Sequence, residues 1–162
     1  MSRETINSWL ARILRLGLGV VFIWASIPKI AAPAAFLASL YQYELLPPAL
    51  ANVVSVALPW LEFLTGICLL SGVFLPGALA CCVVLCCSFL ISQASVLYRG
   101  MDIDCGCGLL PGSSPITYLT LLRSLFLLVC SLAGYILVWR VVRQTAQTCA
   151  KSTEPALAVE AA

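Results

Sequence analysis

Histidine is absent from all 162 residues. That removes the commonest general base near neutral pH and the commonest metal ligand. Charge is scarce as well. Charged residues make up 10% of the chain, against about 25% in an ordinary soluble domain. The net charge of +2 is too small to point to nucleic acid. Any chemistry must therefore come from Cys, Asp, Glu, Lys, Arg, Tyr or a bound cofactor. What the sequence does have is apolar length: 62% of its residues are hydrophobic and the mean hydropathy is +1.03.

About 20 apolar residues in a helix cross a bilayer core, and four runs of that length are present. They span about Leu10–Ala31, Ala49–Leu70, Gly77–Tyr98 and Ile116–Trp139. Turn chemistry separates them: Pro47-Pro48, Ser71-Gly72 with Pro76-Gly77, and Pro111-Gly112 with Pro115. The predicted fold is an all-α integral membrane protein, an antiparallel bundle of four transmembrane helices. Residues 1–143 form this membrane domain, and residues 144–162 read as a disordered tail, polar and Ala-rich. The first run also resembles a secretory signal peptide, but Lys29 interrupts its end and Pro33 is badly placed for cleavage after Ala32. It is retained as a span.

Basic residues set orientation. Arg3, Arg12, Arg15, Arg140, Arg143 and Lys151 flank one side; Lys29 and Arg99 lie near the other. Both termini are expected in the cytoplasm, in the inner membrane of a bacterium. The connection from Arg99 to Pro115 then faces the periplasm, where disulfides persist.

That connection contains "DIDCGCG", residues 102–108. A disulfide needs Cα atoms about 4.4 to 6.8 Å apart. Residues two apart in an extended chain lie near the top of that range, and Gly106 permits the bend that brings them closer. Cys105 and Cys107 can thus pair in a small ring. Such disulfides are the labile or catalytic ones, whereas a structural staple does more across a long loop. Three readings stand: a redox pair, a thiolate half-site for a metal with Asp102 or Asp104 adding oxygen, or a loop without chemistry. The metal reading lacks further good ligands, and no metal is assigned. The carboxylates of Asp102 and Asp104 oppose thiolate formation, which suits them to partner recognition or proton handling.

Cys68, Cys81, Cys82, Cys86, Cys87 and Cys130 read as packing, and Cys149 as a reduced cytoplasmic thiol. Cys82 and Cys86 share a helix face, where cysteine acts as a small apolar residue. Arg12 and Arg15 sit in the first turns of the first run, where long basic side chains can snorkel to the headgroups. The charges expected to face the bundle are Lys29, Glu62 and Arg123. Such groups are costly in hydrocarbon and usually face the bundle with a partner. The expected arrangement is a carboxylate held by two cations, with Ser92, Gln93 and Tyr98 lining the same space. It is either structural or part of a site opening outward.

These segments resemble the MauE/DoxX group of bacterial four-helix membrane proteins, and its MauE branch in particular. The resemblance covers about Leu10 to Val142. It rests on "RLGLGVVFIWASIPKI" with Lys29, "LPWLEFLTGICLLSG" with Pro59, Glu62 and Gly66, "DIDCGCG", and "LLRSLFLL" with Arg123. Gly108 stands where the family usually has Phe.

The resemblance implies a role in methylamine utilisation, through maturation of the disulfide-rich periplasmic β subunit of methylamine dehydrogenase. It also implies a thioredoxin-like periplasmic partner. By architectural analogy alone, the chain is similar to quinone-linked disulfide-forming membrane enzymes. Thiol-disulfide exchange through Cys105 and Cys107, with a quinone near Lys29, Glu62 and Arg123 as the other electron partner, is the expectation. The rival expectation is a non-enzymatic assembly factor that anchors a partner at the membrane. A small transporter using Glu62 and Arg123 is a third class.

Overall fold

The structure is a computed structural model that describes residues 3–100 and 118–160. The expectations for Asp102, Asp104, Cys105, Gly106 and Cys107 fall outside the described residues. The described residues form five helices: α1 (Arg3–Ala31), α2 (Pro33–Tyr43), α3 (Pro48–Ser71), α4 (Leu75–Tyr98) and α5 (Tyr118–Glu160). Among the described residues, four segments are long and apolar enough to cross a membrane: Trp9–Ala31, Pro48–Ser71, Leu75–Tyr98 and Tyr118–Arg140. Each overlaps one of the four expected runs.

Local chemistry explains the boundaries. Pro33 and Pro48 open α2 and α3, where a missing N–H costs nothing and φ is already helical. Helix α3 stops at Gly72, whose φ of 79° closes the last turn with an N–H bond to Cys68 O at 2.9 Å. Phe74 (φ 50°) then redirects the chain into α4. Helix α5 runs on to Glu160, through the stretch that the sequence reads as a tail. Its Ala, Gln, Lys and Leu are good helix formers.

The spans form a ring. α1 packs most closely on α3, and α4 on α5; α1 also meets α5, and α3 meets α4. These neighbours and the short α3–α4 connection are compatible with the expected antiparallel arrangement. The core joins Leu18 and Phe22 of α1, Leu69 of α3, and Leu79, Cys82 and Leu85 of α4. The outer faces carry Ile13, Val20, Trp24, Val53, Trp60 and Phe126, an apolar surface suited to lipid. Lipid gives helices no hydrophobic reason to associate, so close packing must hold them. Gly19 and Gly66 supply it. A Cβ on Gly66 would lie 3.0 Å from Gly19 O and 2.7 Å from Ile23 Cγ1.

Helix α2 was not expected. Eleven residues rise only about 16 Å, too little to cross a bilayer. It packs along α3 and turns Phe36 and Tyr43 inward. Tyr41 Oη donates to Asn52 Oδ1 at 3.2 Å, and Arg99 Nη1 donates to Tyr43 O at 3.4 Å. This last bond ties the end of α2 to the end of α4, where the connection holding the thiol pair begins.

Candidate functional site

Glu62 and Lys29 are both deeply buried, with 1% and 5% of their surface exposed. Lys29 Nζ donates to Glu62 Oε1 at 2.7 Å and Oε2 at 2.8 Å. Removing either charge from water is costly, and two short bonds plus mutual attraction offset that cost. The ammonium also sits 4.8 Å from the Phe89 ring centroid and 5.5 Å from that of Phe36, where the ring faces attract a cation. A proline lies beside each partner: Pro28 precedes Lys29, and Pro59 stands three residues before Glu62. Neither proline can donate a helix hydrogen bond.

A second polar tie crosses the other tight helix pair. Ser124 Oγ of α5 donates to Gln93 Oε1 of α4 at 2.8 Å, both residues being buried. The ion pair joins α1 to α3, and this amide–hydroxyl pair joins α4 to α5.

Both ties border one cavity of about 50 Å³ at the centre of the ring. Its walls include Val21, Phe22 and Ala25 of α1, Cys86 and Phe89 of α4, and Leu127 of α5. A larger cavity of about 320 Å³ lies beneath α2. Phe36, Leu40 and Tyr43 of α2 face Val54 and Leu58 of α3 across it, and Lys29, Phe89 and Gln93 border both spaces. Burial pushes the Tyr43 phenol up to about 12, because its ionised form would lose its hydration.

The sequence suggested one carboxylate shared by two cations. Among the described residues, Glu62 pairs with Lys29 alone. Arg123 lines the same cavity, but it arises from α5, which stands diagonal to α3 in the ring. Its buried Nε has no hydrogen-bond partner among the described residues. Gln93 lines both cavities and Ser92 the larger one. Tyr98 does not join them; it is 94% exposed, because it ends α4 on an outward face.

The α4 cysteines pack as expected. Cys82 and Cys86 belong to the core, with their thiols against each other and near the Ser131 hydroxyl. No group of three or more Cys, Asp or Glu side chains suited to a metal ion occurs among the described residues.

Sequence reading missed two features. Phe36, Leu40 and Tyr43 recur at helical spacing and could have revealed α2. Arg15 looks like a snorkelling cation, yet its guanidinium lies against Gly72, where a Cβ would collide with it. A cation there complements the negative end of α3.

The sequence profile of the family described as methylamine utilisation protein MauE matches residues 7–138. The chain belongs to the MauE family. A similar protein is the methylamine utilization protein MauE of Paracoccus denitrificans, 28% identical over 121 residues. The alignment covers 74% of this chain and 65% of that relative, so the chain spans just under two thirds of the relative's length. No solved structure matches the chain.

Proposed function

We propose that this membrane protein supports methylamine utilisation by thiol-disulfide exchange at the outer face of the inner membrane, with Cys105 and Cys107 as the reacting pair. The pattern Cys105-Gly106-Cys107 in a polar connection between two apolar spans carries the reading. Membership of the MauE family supports it, as does the relative's name. The Arg99–Tyr43 tie supports a fixed exit for this connection beside α2.

In the oxidising direction, a thiolate of a thioredoxin-like partner attacks the Cys105–Cys107 disulfide. A mixed disulfide forms and one cysteine leaves as thiolate. The partner's second thiolate then breaks the mixed bond. The partner ends as a disulfide and this chain as a dithiol, having gained two electrons and two protons. Exchange in the reverse direction uses the same steps. Oxidation or isomerisation of a disulfide-rich periplasmic client, such as the β subunit of methylamine dehydrogenase, follows through that partner.

A quinone is the lipid-soluble class suited to the other end of this transfer, and when bound it would accept two electrons and two protons. The cavity beneath α2 fits such a group. Its walls are apolar and aromatic, with Phe36 and Phe89 at the Lys29 end. Lys29 gives two N–H bonds to Glu62 and keeps a third for a carbonyl oxygen.

Replacing Cys105 or Cys107 with Ser is expected to shift the periplasmic partner's redox state in cells and to stop client maturation. Full maturation in the double variant would instead support a non-enzymatic assembly factor.

A further inference from the structure

The central cavity holds more positive than negative charge. Its ionisable walls are Lys29, Glu62 and Arg123. Lys29 and Glu62 neutralise each other through bonds of 2.7 and 2.8 Å, which leaves the Arg123 guanidinium without a counter-charge among the described residues. The Arg123 charge is also close enough to act on Lys29, so the two cations repel. Arg123 Nε is buried without an acceptor among the described residues. The residue as a whole is half-buried, but a donor atom held away from water without an acceptor is costly.

The rest of the lining sharpens the ligand. Val21, Phe22, Ala25 and Leu127 carry no side-chain acceptor. Gln93 and Ser124, which also line the cavity, are bonded to each other at 2.8 Å, and no described atom accepts from Arg123 Nε. The donors left over are Arg123 Nε–H and the third Lys29 N–H, which the quinone reading also draws on. One excess positive charge calls for one negative charge; a dianion would overshoot it. The volume of about 50 Å³ is that of a few water positions, enough for a halide and too little for a phosphate ester. Apolar walls favour an anion that gives up its hydration easily.

We propose that the centre of the bundle binds one small monovalent anion of halide size between Arg123 and Lys29, closing a cluster of two cations and two anions. The site draws one residue or more from each of α1, α3, α4 and α5, so occupancy would also brace the ring. The proposal uses none of the residues of the 101–117 connection, but it shares Lys29 with the quinone reading, so an anion and a quinone carbonyl would compete for that N–H.

Equilibrium dialysis with radiolabelled chloride tests it, using the full chain in nanodiscs of phosphatidylcholine, which carries no net charge. The expected result is saturable binding of roughly one chloride per chain, displaced by bromide but not by sulfate or gluconate. Arg123→Gln should weaken binding by about tenfold or more, and Arg123→Lys should retain most of it. If the glutamine variant does not fold, the wild-type stoichiometry and the lysine variant still decide. No saturable binding up to about 100 mM chloride would overturn the proposal. So would binding that survives Arg123→Gln, or equal displacement by sulfate. Binding displaced by added phosphatidylglycerol would overturn it too, since Arg123 would then be serving a lipid headgroup.

Discussion

Lys29 Nζ of α1 lies 2.7 Å from Glu62 Oε1 and 2.8 Å from Oε2 of α3, a closed ion pair inside a largely apolar bundle. Removing one partner strands the other charge, which costs about 3–5 kcal/mol for buried pairs. Glu62→Gln and Lys29→Met are each expected to lose that much apparent stability in detergent unfolding. The double variant Lys29→Met, Glu62→Leu should regain most of it. Equal loss in single and double variants would mean that the pair is not the source of the effect.

The α1–α3 crossing gives a second prediction. A Cβ on Gly66 meets Ile23 and the Gly19 backbone at 2.7–3.1 Å, so the helices must separate. Gly66→Ala should cost about 1–3 kcal/mol, as overpacking usually does. Gly77→Ala meets nothing within 4 Å and should be harmless. Thermal melting of both variants checks the contrast.

Gly72 joins two constraints, a φ of 79° and the Arg15 guanidinium where a Cβ would stand. Gly72→Ala therefore strains the backbone and displaces Arg15. A loss of about 1–3 kcal/mol is expected. If the displaced cation contributes, Arg15→Gln should lower stability alone, and the two losses should not add.

Tyr43 should titrate late. Its phenol is pushed up to about 12 from an ordinary 10, so the folded state holds this proton more tightly than the unfolded state. Its stabilising effect is complete below pH 10 and is lost as pH rises from 10 through 12. Ultraviolet absorbance of the phenolate should show Tyr43 ionising in that upper range. Tyr43→Phe should abolish that late phase, and a phase that persists would contradict the burial of Tyr43.

The sequence made the four spans legible because a bilayer demands long apolar runs and leaves little else to confuse them. It also placed Lys29 and Glu62 inside, since their charge makes a partner obligatory. Arg123 was legible as an interior cation, but its position opposite α3 depends on the order of helices around the ring, which no local pattern encodes. Helix α2 escaped a search for spans because it is half their length. Its Phe36–Leu40–Tyr43 stripe was readable all the same. The thiol pair was legible only as spacing, and the described residues do not include it.

Thiol trapping in intact cells, with a membrane-impermeant maleimide before and after reduction, tests the central claim most directly. The account predicts that Cys105 and Cys107 are protected until reduction and labelled after it, with the labelling removed when both are changed to Ser. Labelling without reduction would contradict a resting disulfide. No labelling after reduction would contradict the outward-facing pair itself.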